Sequence, residues 1–403
     1  MFHALEVLFL RSYMLTFKLV TFLMPFKWPK VFEGSGSSLK LVEHMAQAGH
    51  SNVLIVSDAV LVKLGVLDKM KAELEARNVR YAIFDGVEPN PSIAQIDAGY
   101  KVLKANDCTA ILAVGGGSPI DAAKLIGARA KNNKPIWKMT GLFRVWRGML
   151  PLYAVPTTAG TGSEVTIAAV VSDPANQRKA AAMDLKLMPT AAALDGELMT
   201  GLPAHITAAT GMDALTHAVE SFVSKNAMKK TDAKAIEATQ LIMKNLATAV
   251  SDGSNLEARQ NMARASHLAG IAFTQAGVGY VHAIAHKFGA MYHTPHGLAN
   301  AIVMPHVLDY SLPSCAERLA ELARHCGIGA KGADDLHVAR EFIARIRSMN
   351  EQFGIPSTLS TLKAKDIPEI AKSAINEARF TYAVPRYMTR QIAEGLIKNM
   401  LPA

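Results

Sequence analysis

The sequence predicts an N-terminal α/β domain with a largely parallel sheet, followed by an all-α C-terminal domain. Three observations carry this expectation. Short unbroken apolar runs alternate with helical stretches between residue 31 and about residue 200, the pattern of strands buried on both faces and covered by helices. After Pro203 the texture changes to long Ala/Leu/Met-rich stretches with polar residues at helical spacing. Finally, 403 residues that are 50% hydrophobic are enough for two to three domains with full cores, which excludes general disorder.

Taken in order, residues 1–26 read as an N-terminal extension dispensable to the rest, with Met14 and Met24 as candidate internal starts. Glu6, Arg11 and Lys18 interrupt its apolar run, which argues against a spanning helix. Glu6 also spoils the positive region of a signal peptide, and no small-x-small cleavage site follows. Membrane contact by this segment is not expected. Residues 27–203 form the α/β domain. Its first strand starts near Trp28-Pro29-Lys30-Val31-Phe32, and Gly-Ser-Gly-Ser-Ser at 34–38 is a turn before the first helix. Strand Asn52–Asp58 precedes one amphipathic stretch from Val60 to Arg77. Strand Tyr81–Asp85 is followed by a helix from about Ser92 to Ala105, and strand Ala110–Val114 ends in glycines. Leu152–Val155 and Ala192–Leu194 are later strands. Residues 204–403 are the helical domain, entered near Leu202-Pro203.

The formal charge of +9 divides into +5 before residue 204 and +4 after it, with no basic tail or arm. No nucleic-acid partner is therefore expected. Lys131–Arg147 holds five basic residues with no acid between Asp121 and Glu164, either a solvated loop or a rim for an anionic ligand. Three cysteines, Cys108, Cys315 and Cys326, have no metal-type or redox-type spacing. That excludes a disulfide framework and fits a reducing, cytoplasmic setting.

Two turns could meet a nucleotide. Val114-Gly115-Gly116-Gly117-Ser118 leads from a buried strand into a helix that contains Asp121. Glycines let backbone N–H groups approach a phosphate, and the helix start adds partial positive charge. The bland alternative is a tight strand-to-helix turn, and no Gly-x-Gly-x-x-Gly fingerprint follows any strand. The second turn, Pro156-Thr157-Thr158-Ala159-Gly160-Thr161, offers small hydroxyl side chains. Asp58, at a strand end, could accept from a ribose 2′-OH, which favours NAD over NADP; it could equally cap a helix.

The strongest signal is a set of metal-type side chains. Asp213 and His217 stand at i and i+4, as do His282 and His286, and His293 and His296 follow closely. On helices each pair shares one face. Four of the 13 histidines fall within residues 282–296 of an otherwise apolar stretch, which satisfied core histidines explain poorly. Imidazoles with a carboxylate suit Fe(II) or Zn(II), and ligand type does not choose between them.

From about Trp28 to the C-terminus the chain resembles the iron-containing (group III) alcohol dehydrogenase family. The markers stand in order: Gly-Gly-Gly-Ser-x-x-Asp at 115–121, Pro-Thr-Thr-Ala-Gly-Thr at 156–161, Gly-Met-Asp-Ala-Leu-Thr-His at 211–217, and the His282–Gly297 segment. The resemblance implies Asp213, His217, His282 and His296 as metal ligands, with His286 a non-ligand catalytic histidine near the nicotinamide. It implies that Gly115, Gly116, Gly117, Ser118 and Asp121 form the cofactor turn, Gly116–Ser118 holding the pyrophosphate. Thr157 and Thr158 would line the cofactor cleft, and Lys179 would contact the ribose. The implied activity is reversible oxidation of a small primary alcohol to an aldehyde with NAD and a divalent metal, Fe(II) foremost, in a homodimer. A glycerol- or diol-type dehydrogenase is the nearest alternative. A non-catalytic metal- or nucleotide-binding component is disfavoured by the intact ligand set, and the same set disfavours the metal-free reductases of the superfamily.

Overall fold

The computed structural model describes residues 2–173 and 178–402. It divides into two compact units, one of Pro25–Leu202 with Gly253–His267, the other of Met1–Met24, Pro203–Asp252 and Leu268–Ala403.

The first unit is α/β. Its chain runs β1 (Lys30–Glu33), α2 (Ser37–Gln47), β2 (Asn52–Val56), α3 (Ala59–Lys63), α4 (Asp68–Ala76), β3 (Arg80–Phe84), α5 (Ile93–Ala105), β4 (Ala110–Gly115), α6 (Gly117–Lys131), β5 (Gly141–Leu142), β6 (Leu152–Pro156), β7 (Ala168–Asp173), β8 (Arg178–Met183) and β9 (Ala191–Leu194); α1 is Phe2–Leu23 and belongs to the second unit. Six strands form a parallel sheet in the order β1-β9-β6-β4-β2-β3. The two-residue period of a strand sends Val53 and Ile55 into a core with Leu41, Met45, Met70 and Leu74 of α2 and α4. Leu54 and Val56 enter the opposite core, with Ile96 of α5 and Ile120 and Leu125 of α6. Both faces are thus covered, as the unbroken apolar runs require.

Two local features differ from the sequence expectation. The stretch Val60–Arg77 is two helices, because Gly65 takes a left-handed conformation (φ 71°) that closes α3. A second sheet of β5, β8 and β7 was not foreseen. Its long pair is antiparallel, from Ala168↔Met183 to Asp173↔Arg178, and is rich in alanine, which carries little strand signal. Within the Lys131–Arg147 segment, Asn132 donates to Ala128 O and Gly148 O, both at 2.8 Å, so the loop is tied at its base.

The second unit is helical: α7 (Ala204–Val223), α8 (Lys229–Ser251), the later part of α9 (Leu256–Ala276), α10 (Tyr280–Tyr292), α11 (His296–His325), α12 (Asp335–Gln352), α13 (Ile367–Arg379) and α14 (Arg390–Lys398). Pro203 stands at the N-cap of α7. Helix α1 packs into this unit, with Leu10 and Met14 each 2% exposed. Among the described residues no single helix is long and apolar enough to cross a membrane. The three cysteines are free, two of them buried.

Candidate metal centre and nucleotide-type turn

Helix α7 presents Asp213, His217 and Glu220 at i, i+4 and i+7, which places all three on one side of the helix. Helix α10 contributes His282 and His286 one turn apart, and His296 opens α11. Between these two helices His293 adopts φ 55° and caps α10, exposed to solvent, so it stays outside the cluster. Ligand atoms from Asp213, His217, His282 and His296 all lie within 4.8 Å of one another. His282 Nε2 and His296 Nε2 stand 3.9 and 3.6 Å from Asp213 Oδ1. His217 stacks on Phe273 and on His282, with ring centroids 4.2 and 4.6 Å away.

Two neighbours prepare these groups for a cation. Glu220, buried, accepts from His282 Nδ1 at 2.6 Å and from the backbone N–H groups of Gly279 and Val281 at 2.8 Å each. With Nδ1 carrying the proton, Nε2 of His282 keeps a lone pair toward the cluster. Asn300 Nδ2, one turn beyond His296, donates to Asp213 Oδ1 at 2.6 Å and lies 3.2 Å from the Nε2 atoms of both His282 and His296. His282 thus turns toward the cluster the unprotonated nitrogen with which histidine ligates a metal. Burial, and then the neighbouring imidazoles, hold the His282 pKa well below its ordinary value. Burial pushes the Glu220 carboxyl up to about 8. Three imidazoles and one carboxylate fit Fe(II) or Zn(II).

Close approach of the helices is what brings the ligands together. A Cβ on Gly297 would stand 2.3 Å from Ala209 O and 3.3 Å from Asp213 Cβ. The first turn of α11 can rest on α7 only without a side chain there.

His286 lies at the edge of the cluster, its ring stacked on His296 at 5.4 Å. Its Nδ1 is held 2.7 Å from Glu377 Oε1 of α13, which also accepts from Tyr382 Oη at 2.7 Å. Burial works to raise the Glu377 pKa, but His286 and the Tyr382 hydrogen bond outweigh it and the carboxyl lies below its ordinary value. Phe273 stands at the cluster, stacked on His217, whereas Tyr280 is buried and accepts from Met388 N.

In the α/β unit the strand order reverses at β2, whose neighbours are β3 on one side and β4 on the other. Such a switch point, at the carboxyl ends of the strands, is where open α/β sheets bind ligands. Asp58 follows β2, and Gly116 opens α6 directly after β4. Gly115 has φ 151°, and a Cβ there would strike Pro119 Cγ at 2.6 Å. A Cβ on Gly116 would meet Thr158 Oγ1 at 3.3 Å, and one on Gly117 would meet Thr161 Cγ2 at 2.8 Å. The two turns therefore lie against each other. Thr157, buried, donates its N–H to Gly115 O at 3.0 Å. Ser118 Oγ accepts from Asn90 N at 3.3 Å, while Lys179 Nζ donates to Asn90 Oδ1 at 2.6 Å.

Two acids here have structural work of their own. Asp58 caps α3 by accepting from Leu61 N at 2.9 Å. Asp121 accepts from Ser163 Oγ at 2.5 Å and from Val170 N at 3.0 Å, tying α6 to the second turn and to β7. Asn90, Glu220, Asn300, Glu377 and Tyr382 went unnoticed in the sequence. Glu220 and Asn300 could have been found, since they continue the helical spacing of His217 and His296.

A doubly wound sheet of the nucleotide-binding type and a cluster of three histidines with one carboxylate define a class, the metal-dependent dehydrogenases. Comparison with known proteins gives the family. A profile described as iron-containing alcohol dehydrogenase matches residues 29–196, and the C-terminal profile of the Fe-containing alcohol dehydrogenase family matches residues 207–401. The chain belongs to the iron-containing alcohol dehydrogenase family and is an oxidoreductase acting on CH–OH groups. It is 39% identical over 370 residues to an NAD-dependent methanol dehydrogenase of Bacillus methanolicus, covering 91% of this chain and 97% of that one. A 1,3-propanediol dehydrogenase of Klebsiella pneumoniae is 40% identical over 372 residues, covering 91% and 96%. Among solved structures, a 1,3-propanediol oxidoreductase superposes with a TM-score of 0.91 at 39% identity, covering 94% of this chain and all of the other.

Proposed function

We propose that the chain is an NAD(H)-linked, metal-dependent dehydrogenase that interconverts a small primary alcohol and its aldehyde, acting in the cytoplasm as a homodimer. The observation that carries this reading is the convergence of Asp213, His217, His282 and His296 within 4.8 Å. These four would hold a divalent cation, Fe(II) or Zn(II). Bound there, the cation supplies Lewis-acid stabilisation of an alkoxide, and NAD supplies the hydride acceptor. Glu220 would fix the tautomer of His282, and Asn300 would orient the Asp213 carboxylate. His286, oriented through Nδ1 by Glu377, would pass the hydroxyl proton to solvent from Nε2. Gly115–Ser118 and Asp121, with Thr157 and Thr158, would form the pyrophosphate turn at the start of α6, and Lys179 and Asp58 would face the ribose. Asp58 would repel a 2′-phosphate, which favours NAD over NADP. A diol substrate is a second reading, supported by the likeness to the 1,3-propanediol dehydrogenase.

The test joins metal analysis to turnover. Metal-loaded protein should oxidise NADH with short and medium aldehydes and with 3-hydroxypropanal. His282→Ala should lose bound metal and, with several kcal/mol of charge stabilisation gone, lose turnover by on the order of a thousandfold. Retained turnover in His282→Ala with the metal measured as absent would sink the metal role.

A further inference from the structure

We infer that α1 is a docking helix that seats the protein on an anionic membrane surface, lying along the headgroups without crossing the bilayer. The interrupting charges that counted against membrane contact in the sequence are all turned toward the protein. Glu6 pairs with Arg379 at 2.6 Å. Arg11 donates to Val384 O and Pro385 O at 2.8 and 2.5 Å. Lys18 donates to Lys225 O and Ala227 O at 3.1 and 2.6 Å. Leu10, Met14 and Thr21 complete the inward seam, each at most 4% exposed.

The outward stripe is left almost purely apolar. Leu5, Leu8, Phe9, Leu15, Leu19 and Phe22 recur at helical spacing and are 59–68% exposed. The hydroxyls between them are satisfied within the helix, Ser12 donating to Leu8 O and Thr16 to Ser12 O. A face so apolar calls for a cover.

The surrounding charge says which one. Lys225, Lys229 and Lys230 are exposed where α1 meets the start of α8, and Lys230 Nζ lies 5.5 Å over the Phe22 ring. The nearby acids are already paired, Glu6 with Arg379 and Asp232 with Arg318. A basic rim around an apolar, aromatic-bearing stripe is the pattern of an interfacial helix on anionic lipid. A second copy seated on this face would set the same exposed lysine rim against itself. The family profile begins at residue 29, after α1, so this inference is independent of the proposed catalysis.

The full chain is mixed with vesicles of phosphatidylcholine alone, and with vesicles one quarter phosphatidylserine, at low and high salt, then floated on a density gradient. The protein should rise with the anionic vesicles, and less so at high salt. Leu8→Gln/Leu15→Gln/Leu19→Gln should lower that partition by about tenfold or more, leaving aldehyde-dependent NADH oxidation unchanged. Lys229→Glu/Lys230→Glu, on α8, should lower it with every residue of α1 unchanged. The inference is overturned if the full chain stays unbound with anionic vesicles, or if it partitions equally in both variants. It is also overturned if sedimentation shows a larger species that the leucine variant abolishes in the absence of lipid, which would assign the face to a second copy.

Discussion

At the scale of single residues, Lys124 has the most unusual environment outside the metal centre. It is fully buried on α6, and its Nζ donates to Thr166 O, Thr166 Oγ1 and Ala168 O at 2.9, 3.0 and 2.8 Å. Burial drags its pKa from 10.5 down to about 8, with Asp121 and Glu164 working the other way. Between about pH 8 and 10.5 the unfolded chain keeps a proton that the folded protein has released, so stability rises with pH across that window. Below pH 8 the full cost of the buried charge is present, about 3 kcal/mol from the size of the shift. Lys124→Met removes the titration. The Tm of the wild type should therefore gain on that of Lys124→Met as pH rises from 8 toward 10, in melts of the two proteins side by side. Parallel curves would show that Lys124 keeps its proton. Nothing in the sequence marks this lysine, because three residues after Asp121 it reads as half of a surface pair. Its burial comes from the Thr166–Ala168 backbone, brought across α6 by the unforeseen β7.

At the scale of elements, the centre depends on how α11 begins. His296 is its first residue, and Gly297 rests against Ala209 of α7. In Gly297→Ala the added Cβ would stand 2.3 Å from a backbone oxygen, so α11 must move and carry His296 with it. A loss of about ten- to hundredfold in metal affinity is expected, of the order seen when a ligand loses its support. Competition with a metal-binding dye would measure it, and unchanged affinity would mean that α11 can shift without moving His296. The same elements show what the sequence could reveal. The i, i+4 pairs on α7 and α10 were legible because helical spacing brings such side chains onto one face whatever the tertiary context. Glu377 was not, since it meets His286 across 91 residues with no periodic signal. Nothing in the sequence marks the break at Gly65, because the apolar pattern of Val60–Arg77 continues through it although the helical backbone does not.

At the scale of the whole molecule, the residues assigned to each ligand fall in separate units. Asp58, Gly115–Ser118, Asp121, Thr157, Thr158 and Lys179 belong to the α/β unit, while Asp213, His217, His282, His286 and His296 belong to the helical one. The texture of the sequence changes at Pro203, where the chain passes from one unit to the other. What it hid is that the chain returns. Gln260 of α9 accepts from Gly196 N and donates to Leu194 O, both at 2.9 Å, so residues 253–267 complete the α/β unit, although α9 reads as one uniform helix. Because the two residue sets lie in separate units, each function should be removable alone. Gly117→Val drives a branched side chain into Thr161, whose Cγ2 lies 2.8 Å from where even a Cβ would sit, and should abolish NADH binding by fluorescence titration while bound metal remains stoichiometric. Asp213→Ala should lose the metal yet bind NADH with an affinity changed by no more than about twofold, the spread expected of independent sites. Neither variant should turn over aldehyde, since hydride transfer uses both ligands. If Asp213→Ala folds normally but has lost NADH as well, the metal cluster is part of what holds the dinucleotide, and the separation of roles fails.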